Sequence, residues 1–484
     1  MQYHPEIGKS IQDIVKLYLH RFKMVKQNMK SKNISSVSAY YAGKNVFITG
    51  GTGFLGKALI EKLLYSCNDI GKVFMLIREK RGVSAQDRIK VMLETEPFAR
   101  LRNERPQDFK KIVPVYGDLV ADSLGISTED QKMLFEEVSV VFHLAATIKF
   151  NEPLSVAMKV NVEGTHEVLK LAQKMKKLES FVYMSTAFSN TSLQRYHVEE
   201  KMYPPPKPMD EVYDLIKSND PNERFNSDIL DGRPNTYTFT KALAENFVVD
   251  NHGDIPCVIV RPSVVTAALK EPVEGWIDNW QGATPVLSLI AKGWVRCLYG
   301  EKINNFEIIP IDYVVNLTII SGANCKKSKD VPIYHCCSSG SNPITLKETS
   351  ILYTAESVKH GYNELPLPGM IFSKSSWILF LMTLLFQVIP SYLADLFLYA
   401  IGKPTRYVKI QTKLASYLDT IRFFSSHSWN ITNDKTRSLY SSLNSADKNL
   451  YPCDANLINW KQYIPIYFRG VKQFLVDPAE KKRQ

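Results

Sequence analysis

The chain of 484 residues carries 60 Lys and Arg against 49 Asp and Glu, a formal net charge of +11, with 45% hydrophobic and 23% charged residues. Such a length exceeds a single core and predicts two or three domains of ordinary globular composition. The basic surplus is spread along the chain, and neither a zinc-type Cys/His spacing nor a nucleic-acid motif accompanies it; a metal site and a nucleic-acid partner are not expected, while anionic small molecules or a membrane surface suit the charge.

Residues 1–43 read as a basic leader. Lys9, Lys16, Arg21, Lys23, Lys26, Lys30 and Lys32 alternate with Ile11, Ile14, Val15, Tyr18 and Phe22 at helical spacing, which leaves a short amphipathic helix as the alternative. No apolar run of signal-peptide type precedes them. Seven cysteines, scattered apart from Cys336 and Cys337, predict reduced thiols in a cytosol-facing protein.

From residue 44 apolar, β-branched runs at 45–48, 73–77, 112–116, 138–144, 181–184 and 258–260 alternate with helix-like stretches at 54–66, 85–97, 155–177 and 238–251. Continuous apolar runs are what strands buried on both faces look like, because helices cover both sides of a parallel sheet. Six of them with helical crossovers predict a doubly wound α/β (Rossmann) fold.

The first strand runs into TGGTGFLG. Gly50, Gly53 and Gly56 form GxxGxxG, and Gly51, Gly53 and Gly56 form GxGxxG. With a strand before and a helix after, this is the turn of a dinucleotide site: side chains would keep a pyrophosphate from the backbone, and the helix N-terminus attracts its charge. The second strand ends in FMLIREKRG. Arg78, with Lys80 and Arg81 nearby, suits a ribose 2′-phosphate and predicts NADPH as cofactor, against the dissent of Glu79. Asp118 of YGDL, after the third strand, sits near the adenine or serves as a turn residue before a helix.

Ser185 and Thr186 of VYMSTAFSN stand at the C-terminal end of the fifth strand, where hydroxyls face the cofactor crevice. The stretch MYPPPKPMDEVY then breaks the rhythm, and 201–236 reads as an inserted lid or substrate-side loop. YTFTK follows, with Tyr237 and Lys241 on one helix face. The chemistry is coherent: a phenol gives a proton or strong hydrogen bond to a carbonyl under reduction, a nearby ammonium is expected to lower its pKa from about 10, and a hydroxyl orients the carbonyl oxygen. Lys241 is also placed to hold the nicotinamide ribose.

The mixed region 266–365, with strand-like pieces at 306–310 and 333–335, is expected to complete the substrate side of a catalytic domain spanning 44–365. A hydrophobic segment, 366–401, follows. Its run 377–401 has 25 residues with only Asp395 charged, and is interrupted by Gln387, Pro390, Ser391 and Asp395. A buried helical hairpin, a membrane-dipping segment and a spanning helix all fit it. Residues 402–484 read as a smaller, mainly helical domain. His143 and His427 are expected to be structural.

TGGTGFLG, HLAAT, NVEGT, MSTA, YTFTK and RPSVV, in this order, resemble the extended short-chain dehydrogenase/reductase superfamily. HLAATIKFNEPL, EPVEGWIDNWQG and FFSSHSWNITNDKTRSLYSSL are similar to the alcohol-forming fatty acyl-CoA reductases of animals, over roughly residues 44–475. The resemblance implies an NADPH-binding domain followed by a smaller helical one. It implies a catalytic set of Tyr237, Lys241 and Thr186 with Ser185 as lesser candidate, and a phosphate loop of Gly50, Thr52, Gly53, Phe54, Leu55 and Gly56. Ala145 and Ala146 match the backbone passing the nicotinamide ribose, and Asn161 a structural asparagine. The implied reaction is reduction of a long-chain fatty acyl-CoA to a primary alcohol through an aldehyde, by two hydride transfers and with no cysteine nucleophile. An NADPH-dependent ketone reductase of sterol or flavonoid type is the alternative. Trp276 and Trp280 either line an acyl tunnel or pack in the core. The EKKRQ ending, with Lys481 and Lys482, resembles a dilysine signal and points to the cytosolic face of the endoplasmic reticulum membrane; no peroxisomal Ser-Lys-Leu ending is present.

Overall fold

The architecture, seen in a computed structural model, is described for residues 35–79, 82–192, 194–218, 229–365 and 368–478. Most of the basic leader, Lys80, Arg81, residues 219–228 of the insertion, and Lys481 and Lys482 lie outside the described residues.

The apolar runs form strands β1 (Asn45–Thr49), β2 (Val73–Ile77), β3 (Ile112–Tyr116), β4 (Val138–His143), β5 (Ser180–Met184), β6 (Cys257–Pro262) and β7 (Ile333–Cys336). They pair in parallel in the order β7-β6-β5-β4-β1-β2-β3. β2, β4, β5 and β6 are buried along their whole length, which is why they lack polar alternation. β7 corrects the sequence reading, which counted six strands and put 333–335 on the substrate side. It is a short edge strand with a polar His335, and only its register with β6 (Ile333 opposite Ile259, Cys336 opposite Pro262) brings it into the sheet.

Seven helices matter for the site: α1 (Phe54–Ser66), α2 (154–173), α3 (Thr236–Asn251), α4 (Ile311–Ala323), α5 (Ser376–Ala400), α6 (Tyr407–Ser426) and α7 (Trp460–Val471). Alternate side chains of each strand feed opposite faces of the sheet. Val46, Ile48 and Met75 pack with α1 and α4, while Phe47, Phe74 and Val141 pack with α2 and α3. Each fully buried side chain of this kind stabilises by about 1.5–3 kcal/mol.

The strand order reverses between β1 and β4, so the loops leaving their C-terminal ends part and open a crevice. The helical C-terminal part is knitted onto this frame. The Tyr463 hydroxyl of α7 bonds to the Thr266 hydroxyl at 2.6 Å and donates to the Ala267 carbonyl at 2.7 Å, and Asn430–Ile431 pairs in parallel with His197–Val198.

α5 is one continuous helix. A π-helical turn, Leu384–Val388, precedes Pro390 and absorbs the hydrogen bond that proline cannot make. Its apolar side chains are exposed, so it is not the buried hairpin among the three readings of this run. It is the one helix among the described residues long and apolar enough to cross a membrane.

Candidate active site

The turn after β1 is built for close approach. Gly50 has φ +76°, and a Cβ there would meet the Ala145 nitrogen at 2.8 Å; a Cβ on Gly56 would lie 2.6 Å from the Gly51 Cα. Loop, helix and the strand end of β4 therefore touch only because these positions are glycine. Gly53 caps α1 without a side-chain hydrogen bond, which leaves first-turn N–H groups for an anion. The cradle fits a dinucleotide pyrophosphate.

At the end of β2, Arg78 and Asp118 pair at 3.4 Å. The Arg78 side chain remains 59% exposed, so the pair is loose enough to open toward a ligand. Sequence reasoning missed Arg88, on the helix Ala85–Leu93: it donates to the Arg78 carbonyl and, at 3.4 Å, to the Thr52 hydroxyl. Partial burial first, and then the Arg78 charge, lower the pKa of Arg88, as expected where two cations crowd one place. Glu79 is exposed and does not line the cavity.

The loop after β4 is held by two side chains. His143 lies between the hydroxyls of Thr49 (2.7 Å) and Thr165 (2.9 Å), and complete burial lowers its pKa to about 3, so it is a neutral brace. Asn161, on the π turn of α2, accepts from the Thr147 nitrogen at 2.9 Å and donates to the Thr240 hydroxyl at 3.0 Å. It thereby ties the Ala145–Ala146 segment to the helix bearing Tyr237 and Lys241.

Asn235 starts α3 by accepting from the Thr238 nitrogen at 2.9 Å. Tyr237 then falls in the first turn and Lys241 one turn on. Lys241 is buried, donates to the Met184 carbonyl at 2.7 Å and the Tyr183 hydroxyl at 3.3 Å, and has its pKa lowered by desolvation to about 7, against the opposing pull of Glu245. Tyr237 departs from expectation. Burial raises its pKa to about 12, and the effect working against this is a hydrogen bond with Thr186, not the ammonium, which is engaged by Met184 and Tyr183. The phenol is thus held protonated. Thr186 also accepts from the Phe188 nitrogen at 3.3 Å, whereas the buried Ser185 hydroxyl has no partner.

Beneath Lys241 lies a buried ion pair that the sequence did not announce. Arg261 donates to both Glu245 oxygens, at 2.8 and 2.7 Å, with both side chains at 0% exposure. Ser189 and Asn190 complete the carboxylate's partners, each at 3.0 Å.

Gly50, Thr52, Gly53, Phe54, Leu55, Gly56, Arg78, Asp118, Ala145, Ala146, Ser185, Thr186, Tyr237 and Lys241 all line one cavity of about 1730 Å³. No cysteine lines it. The same wall includes the apolar Leu287, Ile290, Leu298, Phe306, Leu346 and Phe372, beside the polar Asn279, Gln281, Lys413, Ser416, Asp419 and Thr420. Phe150 stacks on Tyr237 at 6.3 Å and on Phe424 of α6 at 5.5 Å, so the C-terminal part contributes to the wall around the phenol. Trp280 lines the cavity, while Trp276 is a packing residue buried 5.0 Å from Phe54.

A glycine cradle at the switch point of a doubly wound sheet, facing a Tyr–Lys helix, belongs to the short-chain dehydrogenase/reductase class, whose members use a nicotinamide cofactor. Comparison with known proteins narrows this. Residues 48–318 match a family model described as male sterility protein, in its NAD-binding form, and residues 386–478 match a second model of that description. The chain is 35% identical to fatty acyl-CoA reductase 1 of Xenopus laevis, over 91% of this chain and 86% of that one. It is 33% identical to fatty acyl-CoA reductase 2 of Mus musculus, over 92% and 87%. Among solved structures, the terminal reductase domain of the myxalamid biosynthetic pathway shares the fold, with a TM-score of 0.60 at 18% identity, over 89% of this chain and 91% of that one. The chain belongs to the fatty acyl-CoA reductase family.

Proposed function

We propose that this enzyme reduces long-chain fatty acyl-CoA to the primary alcohol through an aldehyde, with two molecules of NADPH. The observation that carries the reading is one cavity whose wall takes in the dinucleotide cradle, Tyr237 and apolar side chains, some of them from the C-terminal segment. A reduced nicotinamide held there would supply the hydride. Tyr237, protonated at neutral pH, donates to the substrate carbonyl oxygen as negative charge develops on it. Thr186 bonds to the phenol, and the unpartnered Ser185 hydroxyl offers a second donor to the same oxygen. Lys241, near 7, exchanges a proton at neutral pH and, lining the same cavity, would hold the ribose. Reduction of the thioester leaves a hemithioacetal, which collapses to aldehyde and CoA thiol. The aldehyde carbonyl then meets the same donors. A covalent thioester is not needed: burial pushes the thiols of Cys257, Cys336, Cys337 and Cys453 up, away from reactive thiolates.

A ketone reductase of sterol or flavonoid type would not need residues 366–484. Here Phe372, Tyr417 and Phe424 lie in the cavity wall, which favours the acyl reading. Expression in yeast with lipid profiling tests it: new saturated or unsaturated fatty alcohols are expected, and NADPH oxidation with steroid ketones but not with palmitoyl-CoA would overturn it.

NADPH is favoured over NADH by the Arg78 and Arg88 pair. Replacing both with Ala is expected to lower the NADPH-to-NADH ratio of kcat/KM by about 100-fold or more, because each charge-assisted contact contributes about 1.5–3 kcal/mol. An unchanged ratio would place cofactor choice elsewhere. The cytosolic face of the endoplasmic reticulum membrane is the proposed location, supported by the exposed apolar α5.

A further inference from the structure

Helix α5 carries its polarity inside out. Its buried residues are Gln387, Ser391 and Asp395, spaced i, i+4, i+8 on one face. The Arg296 nitrogen donates to Gln387 at 2.6 Å. Asp395 accepts from the backbone nitrogens of Arg406, Tyr407 and Val408, at 2.8, 2.9 and 2.9 Å, and so caps the start of α6. The outward face is the apolar one: Trp377, Leu393, Leu396 and Phe397 are 61–67% exposed.

At 25 residues the helix is about 37 Å long, enough to cross a bilayer. Crossing would carry the Gln387–Ser391–Asp395 stripe, and the α6 turn fastened to it, into hydrocarbon. Lying flat leaves the stripe on protein and puts only the apolar face into lipid. The surroundings match an anionic surface. From 371 to 426 the exposed charged residues are Lys374, which pairs with Glu301 at 2.8 Å, and Lys403, Arg406, Lys409, Lys413 and Arg422, against Asp419 alone. The same elements reach the catalytic cavity: Phe372, on the strand before α5, and Tyr417 and Phe424, on α6, line its wall.

We infer that α5 lies in the plane of one leaflet of an anionic membrane without crossing it, and brings the cavity wall at Phe372, Tyr417 and Phe424 close to lipid for exchange of acyl chain and alcohol. This rests on the proposed membrane location of an acyl-CoA reductase. The purified full chain is mixed with phosphatidylcholine vesicles with and without phosphatidylserine. Flotation is expected with both, stronger with phosphatidylserine and weakened by salt. Ser376→Cys, at the start of α5, and Thr405→Cys, five residues past its end, are both expected to react with a membrane-impermeant maleimide added outside; protection of one of them would mean a spanning helix and overturn the inference.

The Leu396→Glu/Phe397→Glu variant is expected to lose vesicle binding by roughly two orders of magnitude, the share of two buried apolar side chains, and to keep its turnover of a short-chain acyl-CoA dispersed in water. Wild-type protein that reduces acyl-CoA but does not float overturns the inference and leaves the catalytic reading intact. Protein that floats with both ends labelled but reduces no acyl-CoA does the reverse. A dimer in buffer that the double substitution splits, without flotation, would assign the apolar face to a second copy and also overturn it.

Discussion

Tyr237→Phe is expected to lower kcat/KM for palmitoyl-CoA by about 10²–10⁴-fold, the usual share of a positioned proton donor, with NADPH affinity essentially unchanged. The ring remains, so the stacking on Phe150 is kept and the cavity wall does not collapse. What is lost is the one O–H that the first turn of α3 presents beside Thr186. Because burial holds the phenol near 12, it donates as a neutral acid over the whole physiological range, and its own titration does not shape the pH profile there. Full turnover in Tyr237→Phe would shift the donor role to Ser185, whose hydroxyl is buried in the same cavity with no partner.

Glu245→Gln is expected to have two separable effects. Glu245 and Arg261 are both inaccessible to solvent, so removing the carboxylate charge leaves a buried guanidinium without its counter-ion, at a cost of about 3–5 kcal/mol; thermal unfolding measures this. The second effect is on Lys241, one turn earlier. Burial has lowered its pKa to about 7, and the Glu245 charge pulls it up. Without that charge the pKa falls further, fewer chains carry the ammonium at neutral pH, and the alkaline limb of kcat/KM moves to lower pH. A role confined to stability would lower the amplitude and leave the limb in place. The sign for stability is consistent. The folded pKa, about 7, lies below the ordinary lysine value of 10.5, so between these values the unfolded chain holds a proton that the folded chain lacks. Lys241 therefore adds stability as pH rises through that window and loses it as pH falls through about 7.

The parts legible in the sequence were those set by local pattern. Strands buried on both faces appear as unbroken apolar runs, and the central strands began and ended close to where the runs did. The glycine turn and the Tyr–Lys spacing are local too; Gly50, Gly53, Gly56, Tyr237 and Lys241 line one cavity, while Gly51 does not. What escaped notice depends on contacts across space. β7 is brief, and its membership comes only from lying beside β6. Arg88 is an ordinary helix residue until the fold brings it over Thr52 and the Arg78 carbonyl. Glu245 and Arg261 sit in apolar surroundings as apparent anomalies, and become intelligible only as partners.

The phenol's pKa went the other way for a related reason. Spacing places an ammonium near Tyr237, but it does not reveal that Met184 and Tyr183 occupy that ammonium or that burial dominates. In α5 three of the four residues that looked like defects in a membrane span, Gln387, Ser391 and Asp395, form a polar stripe fastened to the protein.

One site acting twice on the same carbon is the core of this account, and isotope transfer tests it most directly. With NADPH carrying deuterium at the transferred position and palmitoyl-CoA as substrate, the alcohol is expected to hold two deuterium atoms on C1, and Tyr237→Phe to depress incorporation of both alike. An alcohol with one deuterium, or a Tyr237→Phe enzyme that makes the doubly labelled product at the wild-type rate, would contradict it.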